Sequence, residues 1–212
     1  MVEVIPSINE ESFAAIKAKI RLVEPHVKWA HIDVYNGTFT QYSSWHDPED
    51  LLSFETKLDL EVHLMVADMD IRWRDWVLPS VSRIIFHIEA ADDPELVIQK
   101  IKEAGREAGA AIRPETEWQK LEPFCTKADM VQLLAVSPGR AGQEFRPKTV
   151  EKVANIRRAH PGCIIEVDGG INPETGGKCA AAGANILVSA NYIFNAADIK
   201  QAIEELENAS SY

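Results

Sequence analysis

Residues 29–37, Trp-Ala-His-Ile-Asp-Val-Tyr-Asn-Gly, hold an imidazole and a carboxylate two positions apart. In a strand, residues two apart share a face, so His31 and Asp33 point the same way. Ile32 and Val34 point the other way, as they would beneath a layer of helices. An imidazole beside a carboxylate at a strand's end can hold a metal ion or move a proton. The plainer alternative is a satisfied core histidine, with Asp33 capping the turn. Two later stretches favour the site. His63 and Met65 repeat the spacing, and Asp168 follows Glu166 in the same phase. Two histidines and two aspartates from three strand ends suit Zn²⁺, Mn²⁺, Fe²⁺ or Co²⁺ better than Ca²⁺, without selecting among them. Taken singly, His63 reads as a buried histidine donating to a backbone carbonyl, and Met65 as core packing.

The elements that must position these groups alternate along the chain. Short β-like runs fall at residues 2–6, at the strand carrying His31 and Asp33 within 29–37, and at 60–65, 83–88, 109–112, 130–136, 164–167 and 185–188. Between them, helical patterns are predicted from Asn9 or Glu10 to Val23, in a short turn opened by Pro48, and over 69–78. Further helices are predicted from Asp93-Pro94 to about Ala108, then over 115–121, 147–159, 173–182 and 196–206. Parallel strands joined by helical crossovers must be covered outside, and eight such units close naturally into a (β/α)₈ TIM barrel. An open doubly wound sheet is the alternative. No low-complexity segment or linker marks a boundary, so residues 1–212 are expected to form one domain.

The composition narrows the partners. Of 212 residues, 46% are hydrophobic, as in a globular chain, and the formal net charge is −11. That excess of acid argues against a broad nucleic-acid or anionic-membrane surface. An anionic substrate must therefore be held by local dipoles, a cation or a metal. No secretory signal and no apolar run near the ~20 residues of a spanning helix is visible. Cys125, Cys163 and Cys179 are scattered and odd in number, as in a reduced, cytoplasmic protein.

In a barrel, chemistry gathers at the carboxyl ends of the strands. Beyond the four potential ligands, those ends carry Ser7, His87, Arg113, the loop Pro138-Gly-Arg-Ala-Gly-Gln143, Gly169-Gly170 and Ser189-Ala190-Asn191. Gly169-Gly170 before a helix offers free N–H groups and a positive dipole end to an anion. A turn that needs flexible backbone is the equal alternative. Arg140 either grips an anion or is solvated. Arg113 either binds an anionic group in the mouth or pairs with a nearby acid.

Several stretches resemble the ribulose-phosphate 3-epimerases: Pro6-Ser7-Ile8, His31-Ile-Asp33-Val, Glu61-Val-His63-Leu-Met65-Val, Phe86-His87-Ile-Glu89-Ala, Pro138-Gly139 to Gln143, and Glu166-Val-Asp168-Gly-Gly-Ile-Asn. They occur in order and span nearly the whole chain. The resemblance implies the ribulose-phosphate-binding barrel and a divalent metal held by His31, Asp33, His63 and Asp168. It implies that Asp33 and Asp168 double as acid and base, one on each side of a ketose phosphate. Substrate contacts are implied for Ser7, His63, Met65, Gly139, Gly142, Gly169, Gly170, Ala190 and Asn191. A small-molecule sugar phosphate, a cytoplasmic location and a homo-oligomer follow by analogy, with no nucleic-acid or membrane partner.

The chain also departs from that family. Tyr35-Asn36-Gly37 replaces Met-Asp-Gly, and residues 39–42 replace Phe-Val-Pro-Asn. Gly139-Arg140-Ala141-Gly142 replaces Gly-Phe-Gly-Gly, Ala190-Asn191 replaces Gly-Ser, and Arg113 replaces an asparagine. The metal and proton-transfer groups are thus complete while the shell around the substrate is altered, as in a divergent epimerase acting on ribulose 5-phosphate or a related sugar. Two rivals use the same residues: a metal-dependent hydrolase or lyase acting on a phosphorylated or acidic small molecule, and a non-catalytic sugar-phosphate binder.

Overall fold

The computed structural model describes residues 2–209. Eight parallel strands close into a barrel in sequence order, β1 to β8, with β8 pairing back onto β1. The strands are β1 (Glu3–Ile8), β2 (Trp29–Val34), β3 (Asp59–Leu64), β4 (Val81–His87), β5 (Glu107–Ile112), β6 (Met130–Leu134), β7 (Ile165–Asp168) and β8 (Ile186–Ser189). The helices are α1 (Phe13–Val23), α2 (Met69–Arg72), α3 (Pro94–Glu103), α4 (Lys148–Ala159), α5 (Pro173–Ala182), α6 (Asn191–Phe194) and α7 (Ile199–Asn208).

Period-two alternation builds two different cores. The outward residues, among them Ile32, Val34, Val62, Leu64, Ile84 and Phe86, join one large apolar cluster with buried helix residues such as Ile16, Ile20, Val97 and Ile101. The interior is more polar: His31, Glu61, His63, His87, Gln132 and Glu166 are all fully buried. Apolar groups seal what remains. Ile5, Ile186 and Val188 form one small cluster, and Ile85, Ala111 and Met130 another. Gly109 fits tightly there, since a Cβ would stand 2.8 Å from Ile85 Cγ1 and 3.3 Å from Ile85 Cβ, on a branched, buried side chain.

Three helical expectations change. The predicted 69–78 helix is the single turn α2 followed by a 3₁₀ turn, Trp73–Trp76, in which Trp73 and Trp76 are buried against the outer core. α3 stops at Glu103 because Gly105 at φ +76° turns the chain into β5, which begins at Glu107. The predicted 115–121 helix is only a 3₁₀ turn at Trp118–Lys120. Cys125, Cys163 and Cys179 are free thiols. No described helix is long and apolar enough to cross a membrane.

Candidate active site and metal centre

The strand register brings the four potential ligands together. Asp33 lies opposite His63 in the β2–β3 ladder, and His31 lies opposite Glu61. Asp168 ends β7 on the far side of the mouth. One ligand atom from each of His31, Asp33, His63 and Asp168 falls within 4.8 Å of all the others. His63 Nδ1 lies 3.1 Å from Asp33 Oδ1 and 3.5 Å from Asp168 Oδ2. His31 Nε2 lies 3.3 Å from Asp33 Oδ1 with no hydrogen-bond partner, so this buried nitrogen faces the cluster unpaired. Imidazole nitrogens and carboxylate oxygens at this spacing fit a divalent transition ion.

The outer nitrogens of both imidazoles are engaged. His31 Nδ1 lies 2.7 Å from Glu61 Oε1, and Glu61 Oε2 accepts from Arg83 Nη1 at 2.5 Å. Arg83 continues to Glu107 at 2.7 Å and stacks on Trp29 at the bottom of the barrel. His63 Nε2 lies 3.0 Å from His87 Nε2, and His87 Nδ1 lies 3.4 Å from Glu89 Oε2. Glu61, itself held by Arg83, favours the proton on His31 Nδ1, the tautomer in which His31 Nε2 would be free to ligate. In the second chain His87 Nδ1 makes no hydrogen bond.

The charges follow from burial and pairing. Burial opposes ionisation of Asp33, but hydrogen bonds and charge from His31 and His63 hold it below the usual carboxylate range. Burial also opposes charging of His31 and His63, yet the carboxylates around each raise both. His87 goes the other way, because burial dominates and pulls it down to about 4, so it is neutral near pH 7. Burial, reinforced by Glu61, pushes Glu166 well above the usual carboxylate range. Its Oε1 accepts a 3.0 Å hydrogen bond from Gln132 Nε2.

A cavity of about 640 Å³ opens above this cluster. Asp33 and Asp168 both border it, as do Ser7, Met65, Gly139, Arg140, Gly142, Gly169, Gly170, Ala190 and Asn191. His31 and His63 lie behind the carboxylates and do not line it, so His63 acts from beneath and not at the cavity wall. Ser7 Oγ donates to Asp33 Oδ2 at 2.9 Å. Gly169 and Gly170 adopt φ +102° and +67°, and a Cβ on Gly170 would strike Phe145 backbone at 2.9 Å. Their left-handed backbone and tight packing account for the glycines, and the same loop leads into α5, where Asn172 caps Glu174 and Thr175. Arg140 reaches the cavity but stacks over Tyr42 at 4.5 Å. Arg113 makes no ion pair with an acid among the described residues. Its guanidinium lies 3.7 Å over the Phe39 ring and donates to Phe39 O at 2.9 Å.

Asn9 and Arg83 also reach the site, and Tyr35 and Glu89, which the sequence offered only as a departure and as part of a motif, join them through hydrogen bonds and ion pairs. Asn9 Nδ2 donates to Asp33 Oδ2 at 3.3 Å and to Gly139 O at 2.9 Å, while Tyr35 Oη donates to Asn9 Oδ1 at 2.6 Å. Arg83 was legible only as a charge in an apolar strand, which is itself a signal that a buried partner exists.

The fold places the chain among (β/α)₈ barrels. The crystal structure of KGPDC from Streptococcus mutans matches over 99% of this chain and 97% of its own, at a TM-score of 0.76 and 11% identity. A 3-hexulose-6-phosphate synthase covers 98% of this chain and 99% of its own, at a TM-score of 0.71 and 14% identity. The sequence is more specific. Residues 3–194 match the model of the ribulose-phosphate 3 epimerase family. The ribulose-phosphate 3-epimerase of Chlamydia muridarum is 35% identical over 200 residues, 90% of this chain and 87% of its own. That of Bacillus subtilis is 33% identical over 216 residues, 99% of this chain and 100% of its own. The cytoplasmic isoform from Oryza sativa subsp. japonica is 34% identical, spanning 98% and 93%. This chain belongs to the ribulose-phosphate 3 epimerase family, and is an isomerase.

Proposed function

We propose that the chain interconverts D-ribulose 5-phosphate and D-xylulose 5-phosphate, or a closely related ketose phosphate, with Asp33 and Asp168 as the acid and base. The observation that carries this is the pair of buried carboxylates, from β2 and from the distant β7, that border one cavity and share His63 between them. Epimerisation beside a ketone removes a proton from one face of the carbon and returns one to the other. Asp33 is held ionised, as a base must be. Ser7 and Asn9 fix one of its oxygens. Met65 and Leu134 give the cavity an apolar wall that keeps water from the reacting carbon.

A divalent ion, Zn²⁺, Fe²⁺, Mn²⁺ or Co²⁺, held by His31, Asp33, His63 and Asp168, supplies Lewis-acid stabilisation for charge on the adjacent oxygens. The turns at Gly139–Gly142 and Gly169–Gly170, with Ala190 and Asn191, surround the end of the cavity suited to a phosphate. The hydrolase or lyase alternative is not favoured, because family membership spans the chain. Like the rice isoform it resembles, the chain is read as a cytoplasmic enzyme.

The test is turnover of D-ribulose 5-phosphate with added Zn²⁺, Mn²⁺, Fe²⁺ or Co²⁺, together with solvent-deuterium exchange at the carbon beside the carbonyl. Asp33→Asn and Asp168→Asn should each lower the rate ~10²–10⁴-fold, the usual cost of losing a general acid or base. Absence of turnover and exchange on a panel of ketose phosphates would remove this reading.

A further inference from the structure

We infer that Tyr35 and Asn9 form a positioning latch that locks the Asp33 carboxylate to the loop following β6. The inference rests on Asp33 being a proton-transfer group, as proposed above. Tyr35 is 4% exposed and does not line the cavity, so its phenol cannot reach a substrate there. Its hydroxyl nevertheless has one short partner, Asn9 Oδ1 at 2.6 Å. An amide has one acceptor end and one donor end. With the acceptor end occupied by Tyr35, the Asn9 donor end is obliged to face Asp33 Oδ2, 3.3 Å away, and Gly139 O, 2.9 Å away.

That single amide therefore joins three segments that are distant in the chain. It ties the start of the chain to the end of β2 and to the loop covering the cavity. The backbone around Tyr35 is secured separately: Tyr35 N donates to Ser44 Oγ at 3.1 Å, and Ser44 Oγ donates to Asp33 O at 3.1 Å. Thr40 Oγ1 adds a 3.2 Å bond to Pro138 O, so the loops after β2 and β6 meet beside the latch. The consequence is coupling. Asp33 has its outer oxygen, Oδ2, fully braced only when Gly139 is seated against Asn9, that is, when the cavity is covered. Oδ1 is turned the other way, to His31 and His63.

Tyr35→Phe, Asn9→Ala and the double variant test this. Tyr35→Phe keeps the ring and its packing and removes only the hydroxyl. It should lower kcat about three- to tenfold with KM nearly unchanged, and Asn9→Ala about tenfold or more, as expected when a bond to a charged group is lost and a reacting group is misplaced. In the Asn9→Ala background, Tyr35→Phe should have no further effect on kcat, because Tyr35 acts through Asn9. Hydrogen exchange of amides 139–143 should quicken in both single variants, a readout that needs neither substrate nor metal. Additive effects on kcat, or exchange unchanged in both variants, would overturn the latch. If the unaltered chain turns over no ketose phosphate, the functional reading fails and loop exchange alone decides the latch.

Discussion

Glu61→Gln probes the support beneath the site most directly. Glu61 is fully buried and accepts from two donors, His31 Nδ1 at 2.7 Å and Arg83 Nη1 at 2.5 Å. Glutamine has the same shape but only one acceptor end, so its NH₂ must face a donor on one side. Facing Arg83 leaves a buried guanidinium with Glu107 as its remaining carboxylate partner. Facing His31 forces the other tautomer, which places a proton on Nε2, the atom aimed at the cluster. Breaking a buried pair by removing one partner costs about 3–5 kcal/mol. For a chain of this size each kcal/mol lowers Tm by about 2–4 °C, so a fall of about 6–20 °C is expected. A total stability of about 10 kcal/mol, the middle of the usual range, keeps the variant folded at 25 °C. Loss of a group that orients a ligand should weaken metal binding about 10–100-fold. Calorimetric melting and titration with Zn²⁺ or Mn²⁺ at 25 °C measure both effects. A variant that melts normally and binds metal as tightly as the unaltered chain would refute the account of Glu61.

Three further outcomes are expected. Saturating Zn²⁺ or Mn²⁺ should raise the melting temperature, by about 2.7 kcal/mol of stability at one hundred times Kd, and chelator should reverse it. Gly170→Ala should destabilise the chain by about 1–3 kcal/mol and loosen the loop at Phe145, since φ is +67° and the new methyl strikes Phe145 backbone; a thermal melt equal to that of the unaltered chain would contradict this. Glu24 accepts from Lys57 N, Thr56 Oγ1 and Arg21, which lower its pKa to about 2. Because the folded pKa is depressed, this stability is present above the unfolded value near 4.3 and is lost as pH falls through about 4 toward 2. Glu24→Gln should therefore cost about 1–2 kcal/mol at pH 7 and little at pH 2, which urea melts at the two pH values would show.

The linear sequence determined a good deal by itself. Strand alternation is a local property with a period of two, so His31 with Asp33, and His63 with Met65, could be placed on shared faces without knowing the fold. Closure of eight strand–helix units then put those faces, and Asp168, at one end. Helix extents were less legible. The two tryptophans after Met69 fit a helical spacing equally well as a 3₁₀ turn, and their burial against the outer core chose between them.

Only the tertiary structure decided which neighbours meet inside the barrel. Cross-strand register, absent from any local pattern, set Glu61 against His31 and Arg83, while His87, two residues beyond the ladder partner of His63, reaches it by its side chain. Loop conformation brought Asn9 to Gly139 across 130 positions of sequence, and stacked Arg113 on Phe39 in place of an acid. A side chain's face follows from its own strand, whereas its partners depend on where every other strand and loop comes to rest.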